Sequence, residues 1–448
     1  MTQLPAELLS WIAAATGASV TRAERVPGGG RRQAWSVDVD RDGSLEPLFL
    51  TFNSEEAQTP FTLDREAQFL SVMAPRGVPA PRVVAMHPQG RAMLCERVAG
   101  RVSLAGLDPA DRPRVARSFM HAVAAVHALP ATDVALTTEP LLPDLRAVAR
   151  REIDRWEALY RGTVQADPLV EFGLRYLREN IPAAEGPVVI VHGDCGPGNF
   201  LHDGHRVTAL LDWELAHFGD PMEDLAWISV RSVFDPLPDL AGGIAEYATR
   251  VDFTVDVDRI RYYRAFNELR VVILALLRAA DPAAGEAATW LTLGPIHRRL
   301  CAEALAELSD MDVHPATAVG APAPPLDWLY EKALADLRDV VVPQTSSSFG
   351  AARAKAVSRM IKYLRAAHRL QPALEAAERA DLAALLGKPV DDLRQARRAI
   401  AETRAVSDRD LLTYFVRQAG RDCQLVEAAA GSMAARHFEP LPTTVDRR

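Results

Sequence analysis

The sequence has little lysine, little cysteine and no long apolar run. No lysine precedes Lys332, so every basic side chain before that position is arginine. The four cysteines are scattered without a CxxC pair, which argues against a disulfide framework or a zinc site and predicts a reducing, cytoplasmic location. Apolar stretches such as Val271–Leu277 are far shorter than the roughly 20 residues of a membrane helix. No basic region precedes the first apolar residues, so a signal peptide is not expected.

The charge of the chain is unevenly distributed. Residues 327–448 carry 20 Lys and Arg against 16 Asp and Glu, whereas residues 1–326 carry 31 against 43. The tail is therefore net positive and the body net negative. Tight nucleic-acid binding needs a basic surface, so nucleic acid is not an expected partner. The opposite signs favour docking of the tail on the body or on another protein.

The apolar patterns predict an α+β protein in four parts. Residues 1–100 contain short strands, and residues 101–312 are mainly helical. Residues 313–326 are rich in proline and alanine, which indicates a linker. Residues 327–448 show helical periodicity throughout and no catalytic motif, so we expect an all-helical accessory domain.

Several elements can be placed along the chain. Alternating apolar residues predict strands over Ala34–Val39 and Leu48–Phe52, and a helix follows over Leu63–Met73. Arg82–Met86 and Ala92–Val98 flank a turn, so they predict a hairpin. In the tail, helices are predicted over Leu326–Val341, Ala351–Ala367, Pro372–Leu386 and Val390–Ala405, with one or two more from Leu411 to Arg436.

One passage carries the chemistry. His192-Gly193-Asp194 is followed by Asn199, and a strand, a turn and a second strand then lead to Asp212. Phosphoryl transfer to a hydroxyl needs a carboxylate at the acceptor and hard oxygen ligands for magnesium. The spacing predicts Asp194 as the base, with Asn199 and Asp212 as the metal ligands.

This passage resembles the active-site region of the aminoglycoside phosphotransferase and choline-kinase-like family, a branch of the protein-kinase-like fold. The resemblance is carried by HGDxxxxN at 192–199, by DWE at 212–214 and by GDPxxDLA at 219–226. It implies a two-lobed fold, with a small β-rich N-terminal lobe and a larger, mainly helical C-terminal lobe. It also implies ATP as the phosphoryl donor, Mg²⁺, and structural roles near the site for His192, Asp220 and Asp224.

The same resemblance implies a nucleotide-clamping lobe. Gly28, Gly29 and Gly30 would form the turn over the phosphates, because glycine lets backbone amides approach an anion closely. Ala92–Val98 would form the edge strand that leads to the hinge between the lobes, with Glu96 and Val98 at the adenine-binding position. Glu66 would pair with a basic residue on the third strand.

The sequence departs from the family at that third strand. Thr51 stands where the basic residue is expected, and no lysine is available to replace it. Arg31 and Arg32, directly after the glycines, are the nearest candidates for a cation that contacts the β- and γ-phosphates. A solvated turn is the alternative for both.

We therefore expect a cytoplasmic, ATP- and magnesium-dependent phosphotransferase acting on a hydroxyl of a small molecule. Residues 65–83 look most like the phosphotransferases associated with acyl-CoA dehydrogenases, which favours a hydroxyacyl-CoA or similar metabolite as the acceptor. Two alternatives stay open. One is an aminoglycoside-type antibiotic kinase. The other is a nucleotide-binding pseudokinase with a scaffolding role, which Thr51 and the extra tail would fit.

Overall fold

A computed structural model describes residues 4–26, 32–53, 61–134, 139–162, 166–183, 185–280, 287–312, 314 and 317–445. Its internal contacts divide the chain into two units. The first comprises Met1–Ala149, Ala183–Ile260 and Glu439–Arg448, and the second comprises Arg150–Pro182 and Arg261–Phe438. The boundaries predicted at residues 100, 312 and 326 stay predictions.

The strands and helices follow in chain order. The strands are β1 Ser19–Val26, β2 Arg32–Arg41, β3 Ser44–Asn53, β4 Val83–Met86, β5 Ala92–Glu96, β6 Val189–Val191, β7 Phe200–His202, β8 Val207–Leu210 and β9 His217–Gly219. The helices are α1 Ala6–Thr16, α2 Leu63–Met73, α3 Arg112–His127, α4 Leu145–Arg161, α5 Pro168–Glu179, α6 Pro221–Phe234, α7 Leu240–Ala248, α8 Val257–Ala280, α9 Ala287–Leu308, α10 Asp327–Asp336, α11 Val342–Gln344, α12 Ser348–Leu386, α13 Leu393–Glu402, α14 Asp408–Gln424 and α15 Glu427–Ala430.

The first unit begins with a five-stranded antiparallel sheet in the order β1-β2-β3-β5-β4. Because side chains alternate along a strand, Trp35 and Val37 of β2 share one face with Leu50 and Phe52 of β3. This face packs against α1 and forms a hydrophobic core. The opposite face is half-buried and carries polar residues.

The predicted hairpin is present, but its second strand is not an edge strand. β5 pairs with β4 on one side and with β3 on the other, so β4 lies at the edge. The edge position that the resemblance implies for Ala92–Val98 is therefore wrong: the pattern identifies the hairpin, but pairing with the distant strand β3 decides which of its strands is internal.

Two short antiparallel pairs hold the motif residues of the first unit. β7 pairs with β8, with Phe200 opposite Leu210, as the hairpin in the sequence predicts. β6 pairs with β9, with Ile190 opposite Phe218, and α6 begins directly after β9. The motif loop after β6, the segment after β8 and the start of α6 are thereby fixed by neighbouring backbone.

The second unit is built from helices in its described part. α12 is one helix of 39 residues and includes Pro372, where the sequence predicts a break between two helices. Proline removes one backbone hydrogen bond, but packing of α12 on α9 and α14 keeps the segment helical. Among the described residues, no helix combines the length and apolarity needed to cross a membrane.

Candidate active site

The loop after β6 carries the HGD residues in a conformation that requires glycine at its centre. Gly193 has a φ of +81°, and a Cβ atom there would lie 2.3 Å from the carbonyl oxygen of Leu215. A side chain at this position would be strained by its backbone and would also collide with the segment after Asp212. Gly193 therefore lets the two halves of the site approach each other.

Asp224 of α6 binds the backbone of the same loop. Its buried carboxylate accepts hydrogen bonds from the backbone N–H of His192 at 2.8 Å and of Gly193 at 3.0 Å. His127 of α3 lies 3.0 Å from that carboxylate, and its other ring nitrogen lies 2.6 Å from the hydroxyl of Tyr247. A chain of buried polar contacts thus fixes the start of the loop.

The His192 side chain connects the loop to the strand that leads to Asp212. Its Nε2 lies 2.8 Å from the carbonyl oxygen of Leu211, and its Nδ1 accepts a hydrogen bond from the N–H of Asp194 at 3.3 Å. Burial lowers the pKa of His192, so the neutral ring that these contacts require is favoured. These contacts order the loop.

Asp194 and Asn199 meet side by side. The Asn199 amide donates to the Asp194 carboxylate at 2.8 Å and to the Asp194 carbonyl at 2.9 Å. Arg231 donates from Nη1 to Asp194 at 2.7 Å and from Nη2 to Asn199 Oδ1 at 3.0 Å. One guanidinium therefore orients both the predicted base and a predicted metal ligand.

Sequence reasoning missed Arg231, although a signal was present. It lies seven residues after Asp224 on α6, so the two side chains fall on the same helix face two turns apart. Its Nε also donates to the carbonyl of Pro197 at 2.9 Å. Gly198, with a φ of +93°, leaves room for this arginine, because a Cβ there would lie 2.9 Å from Arg231 Nη2.

Asp212 lies at the end of the segment after β8, in the left-handed backbone region with a φ of 64°. Burial raises the pKa of its carboxyl, and the charges of Glu214 and Asp194 raise it further, whereas Arg32 and Arg231 oppose the shift. The carboxylates of Asp194, Asp212 and Glu214 thus influence one another in one site. Such crowding of negative charge favours a bound cation.

Arg32 of β2 provides the positive charge that β3 lacks at Thr51. Arg32 of β2 lies 2.7 Å from Glu66 of α2 and 3.1 Å from Glu214. In the β2–β3 register Arg32 is opposite Asn53 and Ala34 is opposite Thr51, so Arg32 and Thr51 emerge from the same face of the sheet. The family's basic partner of Glu66 on the third strand is thus replaced by Arg32, one of the two arginines that the sequence offers.

Glu66 itself is buried against this arginine. Burial raises its pKa to about 7, an effect that Arg32 partly opposes and that Asp212 reinforces. Loss of the Arg32 charge would leave Glu66 buried with less compensation. The pair is therefore a fixed part of the site and more than a surface contact.

Of the remaining predicted residues, the structure describes Glu96, Val98 and Asp220. Gly28, Gly29, Gly30 and Arg31 fall outside the described residues. Glu96 ends β5 and Val98 follows it, half-buried, where the hinge is expected. Asp220 caps α6: its side chain accepts a hydrogen bond from the N–H of Met222 at 2.9 Å. It also pairs with Arg259 at 2.9 Å. Both contacts anchor the start of the helix that carries Arg231.

The donors fit a magnesium ion. Asp212 offers a carboxylate in an excess of negative charge, and Asn199 offers an amide oxygen. Among the described residues no group of three or more His, Cys, Asp or Glu is arranged around a metal position. Mg²⁺ often uses one or two protein ligands and completes its shell with water and phosphate oxygens.

Comparison of the sequence with models of known protein families identifies the family. The model of the phosphotransferase enzyme family matches residues 22–266, which is more than half of the chain. The chain belongs to the phosphotransferase enzyme family. The match includes the loop after β6, the DWE segment and α6. The family match agrees with the phosphotransferase interpretation of the motifs.

Curated relatives of this phosphotransferase carry acyl-CoA dehydrogenase names. Acyl-CoA dehydrogenase family member 11 of Rattus norvegicus is 26% identical over 233 residues, which span 46% of this chain and 30% of the relative. Acyl-CoA dehydrogenase family member 10 of Mus musculus is 25% identical over 241 residues, spanning 47% and 22%. The matched part thus covers less than a third of either relative.

A solved structure supports the fold. A protein of Ralstonia eutropha JMP134, assigned by inference to the aminoglycoside phosphotransferases, has a TM-score of 0.53 and 22% identity, and the match covers 69% of this chain and 100% of that one. At this identity the likeness concerns the fold alone. The predicted kinase-like fold, with its antiparallel N-terminal sheet and predominantly helical remainder, is confirmed.

Proposed function

We propose that this phosphotransferase transfers the γ-phosphoryl group of ATP to a hydroxyl of a small molecule in a magnesium-dependent reaction. The observation that supports this most is the meeting of Asp194 and Asn199 under Arg231, with Asp212 in electrostatic contact. Carboxylate, amide and guanidinium groups in this arrangement match the needs of a base and a metal site in phosphoryl transfer.

In this proposal Asp194 orients the acceptor hydroxyl and accepts its proton. Its carboxylate is held by two donors, so it keeps one orientation while the acceptor enters. Asp212 and Asn199 would hold Mg²⁺, which supplies charge neutralisation for the phosphates. Arg32, fixed between Glu66 and Glu214, would contact the β- and γ-phosphates.

For the acceptor we favour a hydroxyacyl-CoA or a similar hydroxylated metabolite. The relatives named after acyl-CoA dehydrogenases favour it. An aminoglycoside-type acceptor is the second candidate, because residues 1–326 carry 43 acidic against 31 basic residues and would attract a polycation.

Purified full chain, ATP and Mg²⁺ should be incubated with a panel that contains a 3-hydroxyacyl-CoA, a 4-hydroxyacyl-CoA, an aminoglycoside, choline and homoserine. Mass spectrometry should detect one added phosphoryl group on a hydroxyacyl-CoA. A phosphorylated aminoglycoside with unchanged thioesters would favour the second candidate. ATP binding without transfer to any acceptor, and without hydrolysis, would favour a pseudokinase.

Replacement of Arg32 by alanine is expected to weaken Mg-ATP binding or kcat/KM for ATP by about 10- to 100-fold, the effect of one charge-assisted contact with phosphate. Steady-state kinetics measures this. Arg41→Ala, an exposed arginine on the same strand that pairs with Glu46, is the matched control. Because Thr51 shares the face of Arg32, Thr51→Lys added to Arg32→Ala should restore part of the loss. Wild-type kinetics in Arg32→Ala would exclude the phosphate contact.

Replacement of Arg231 by alanine is expected to lower kcat by about 10- to 100-fold, because Asp194 and Asn199 lose their shared donor. KM for ATP should change less than kcat, since Arg231 is a positioning residue that acts through Asp194 and Asn199. Arg231→Lys keeps the positive charge but loses the paired donors of the guanidinium group, so it should recover part of kcat. Arg206→Ala, in an exposed turn, serves as the control. An equal loss in Arg231→Lys and Arg231→Ala, matched by a loss of thermal stability, would indicate a purely structural role.

A further inference from the structure

The second unit contains a cavity of about 320 Å³ that the phosphotransferase site does not use. It is lined by residues of α9, α12, α13 and α14, together with the start of α5. Its volume is at the lower end of the range for small-molecule sites. Gln371, an exposed residue of the lining, marks a side that is open to solvent.

One carboxylate in this lining has no cationic partner. Asp422 of α14 accepts a hydrogen bond from the amide of Gln418 at 2.7 Å. Within the described parts of the chain, no arginine, lysine or histidine forms an ion pair with it. A carboxylate in a protein interior is normally paired, so Asp422 is open to an ion pair with a ligand.

The two arginines of the lining are already matched. Arg298 donates to Asp167 at 2.8 Å, and Arg397 contacts both oxygens of Glu378 at 2.7 and 2.6 Å. An anionic ligand would have to compete with these carboxylates for the guanidinium groups. Among the charged residues of the lining, Asp422 is therefore the one without an ion pair in the described parts of the chain.

Aromatic rings complete the lining. Tyr363, Tyr414 and Phe415 all border the cavity. The hydroxyl of Tyr414 is turned away to Glu378, to which it donates at 2.9 Å. Aromatic faces attract cations and also pack against hydrocarbon, so rings beside a carboxylate suit an organic ammonium group.

We propose that this cavity binds a small organic amine, whose ammonium group pairs with Asp422 and whose carbon skeleton packs among Tyr363, Tyr414 and Phe415. The site lies wholly within the second unit and is independent of phosphoryl transfer.

The electrostatics agree with a cationic ligand. Burial raises the pKa of Asp422 to about 6 and the charge of Glu378 adds to the rise, whereas Arg298, Arg397 and Arg421 oppose it without forming an ion pair with Asp422. Arg421 shares the carboxylate of Asp381 with Arg417. Burial, and then the charge of Asp422, also raise the pKa of the Tyr363 hydroxyl. A bound ammonium would supply the direct ion-pair partner that Asp422 lacks.

Calorimetric titration of the full chain with benzylamine and cyclohexylamine tests the proposal, with benzyl alcohol and cyclohexanol as neutral analogues. Both amines should bind saturably, and the alcohols at least about 10-fold more weakly. Asp422→Asn should reduce the affinity for the amines to that for the alcohols. From about pH 5 to about pH 7.5 the amine affinity of the wild type should rise as Asp422 loses its proton, and Asp422→Asn should show no such rise.

Two further variants make the result specific. Asp339→Asn alters an exposed aspartate of the same unit that pairs with Arg338, and it should leave amine binding unchanged. Tyr363→Ala keeps the carboxylate and removes one ring, so it should weaken amine binding by about 3- to 30-fold even if Asp422→Asn fails to fold.

Three results would each overturn the proposal. The first is equal affinity for an amine and its alcohol. The second is unchanged amine binding in a folded Asp422→Asn, which would place the amine elsewhere, for example at the acidic catalytic site. The third is no saturable binding of either amine up to about 10 mM.

Discussion

Replacement of Asp194 by asparagine should lower kcat by about 10²- to 10⁴-fold while Mg-ATP affinity stays nearly intact. The amide cannot accept the acceptor's proton, yet its shape preserves the space between Asn199 and Arg231. The loss should therefore appear in the transfer step. Rapid-quench or steady-state assays measure kcat, and calorimetry measures nucleotide affinity.

Asp203→Asn is the matched control for this variant. Asp203 lies in the turn between β7 and β8, where it accepts from the backbone N–H of His205 and Arg206. Its substitution should leave kcat within a few-fold of the wild type. If Asp194→Asn turned over at the wild-type rate, Asp194 would not be the base and another group would have to take the proton.

Replacement of Asp212 by alanine should weaken the apparent affinity for Mg²⁺ by at least about 100-fold. Changes to groups that only support a metal ligand cost 10- to 100-fold, and removal of a charged ligand costs at least as much. The variant also relieves the crowding among the carboxylates around Asp212. It should fold, and its activity should return only partly at high Mg²⁺.

Asn199→Ala should have a smaller effect on the Mg²⁺ requirement, because an amide oxygen carries no full charge. It should lower kcat as well, since Asn199 also donates to Asp194. Asp252→Ala, an exposed aspartate of the same unit, provides the control. If nucleotide affinity varied with Mg²⁺ identically in the wild type, Asp212→Ala and Asn199→Ala, neither residue would be a ligand.

The candidate base and metal ligands could be predicted from the sequence because they are close along the chain. The β7–β8 hairpin brings Asn199 beside Leu211, whose N–H donates to the Asn199 carbonyl at 2.8 Å. Asp212 follows immediately. Local turn chemistry and strand alternation therefore place these residues together, whatever the rest of the fold does.

Two elements show where local patterns fail. The hairpin of β4 and β5 is encoded locally, but pairing of β5 with β3 is a long-range choice. A proline in a helical pattern signals a break, yet α12 continues through Pro372 because its neighbours in the second unit pack against it. In both cases tertiary contacts outweigh the local preference.

The sequence by itself determined the family, the HGDxxxxN loop, the DWE segment and the absence of a basic residue at Thr51. Only the tertiary structure decided which arginine pairs with Glu66 and which arginine donates to Asp194. Arg32 reaches Glu66 across 34 positions of sequence, and Arg231 reaches Asp194 across 37. Such contacts depend on sheet register and on the face that a helix turns towards a loop. Those are fixed when separate elements pack together, so no local pattern encodes them.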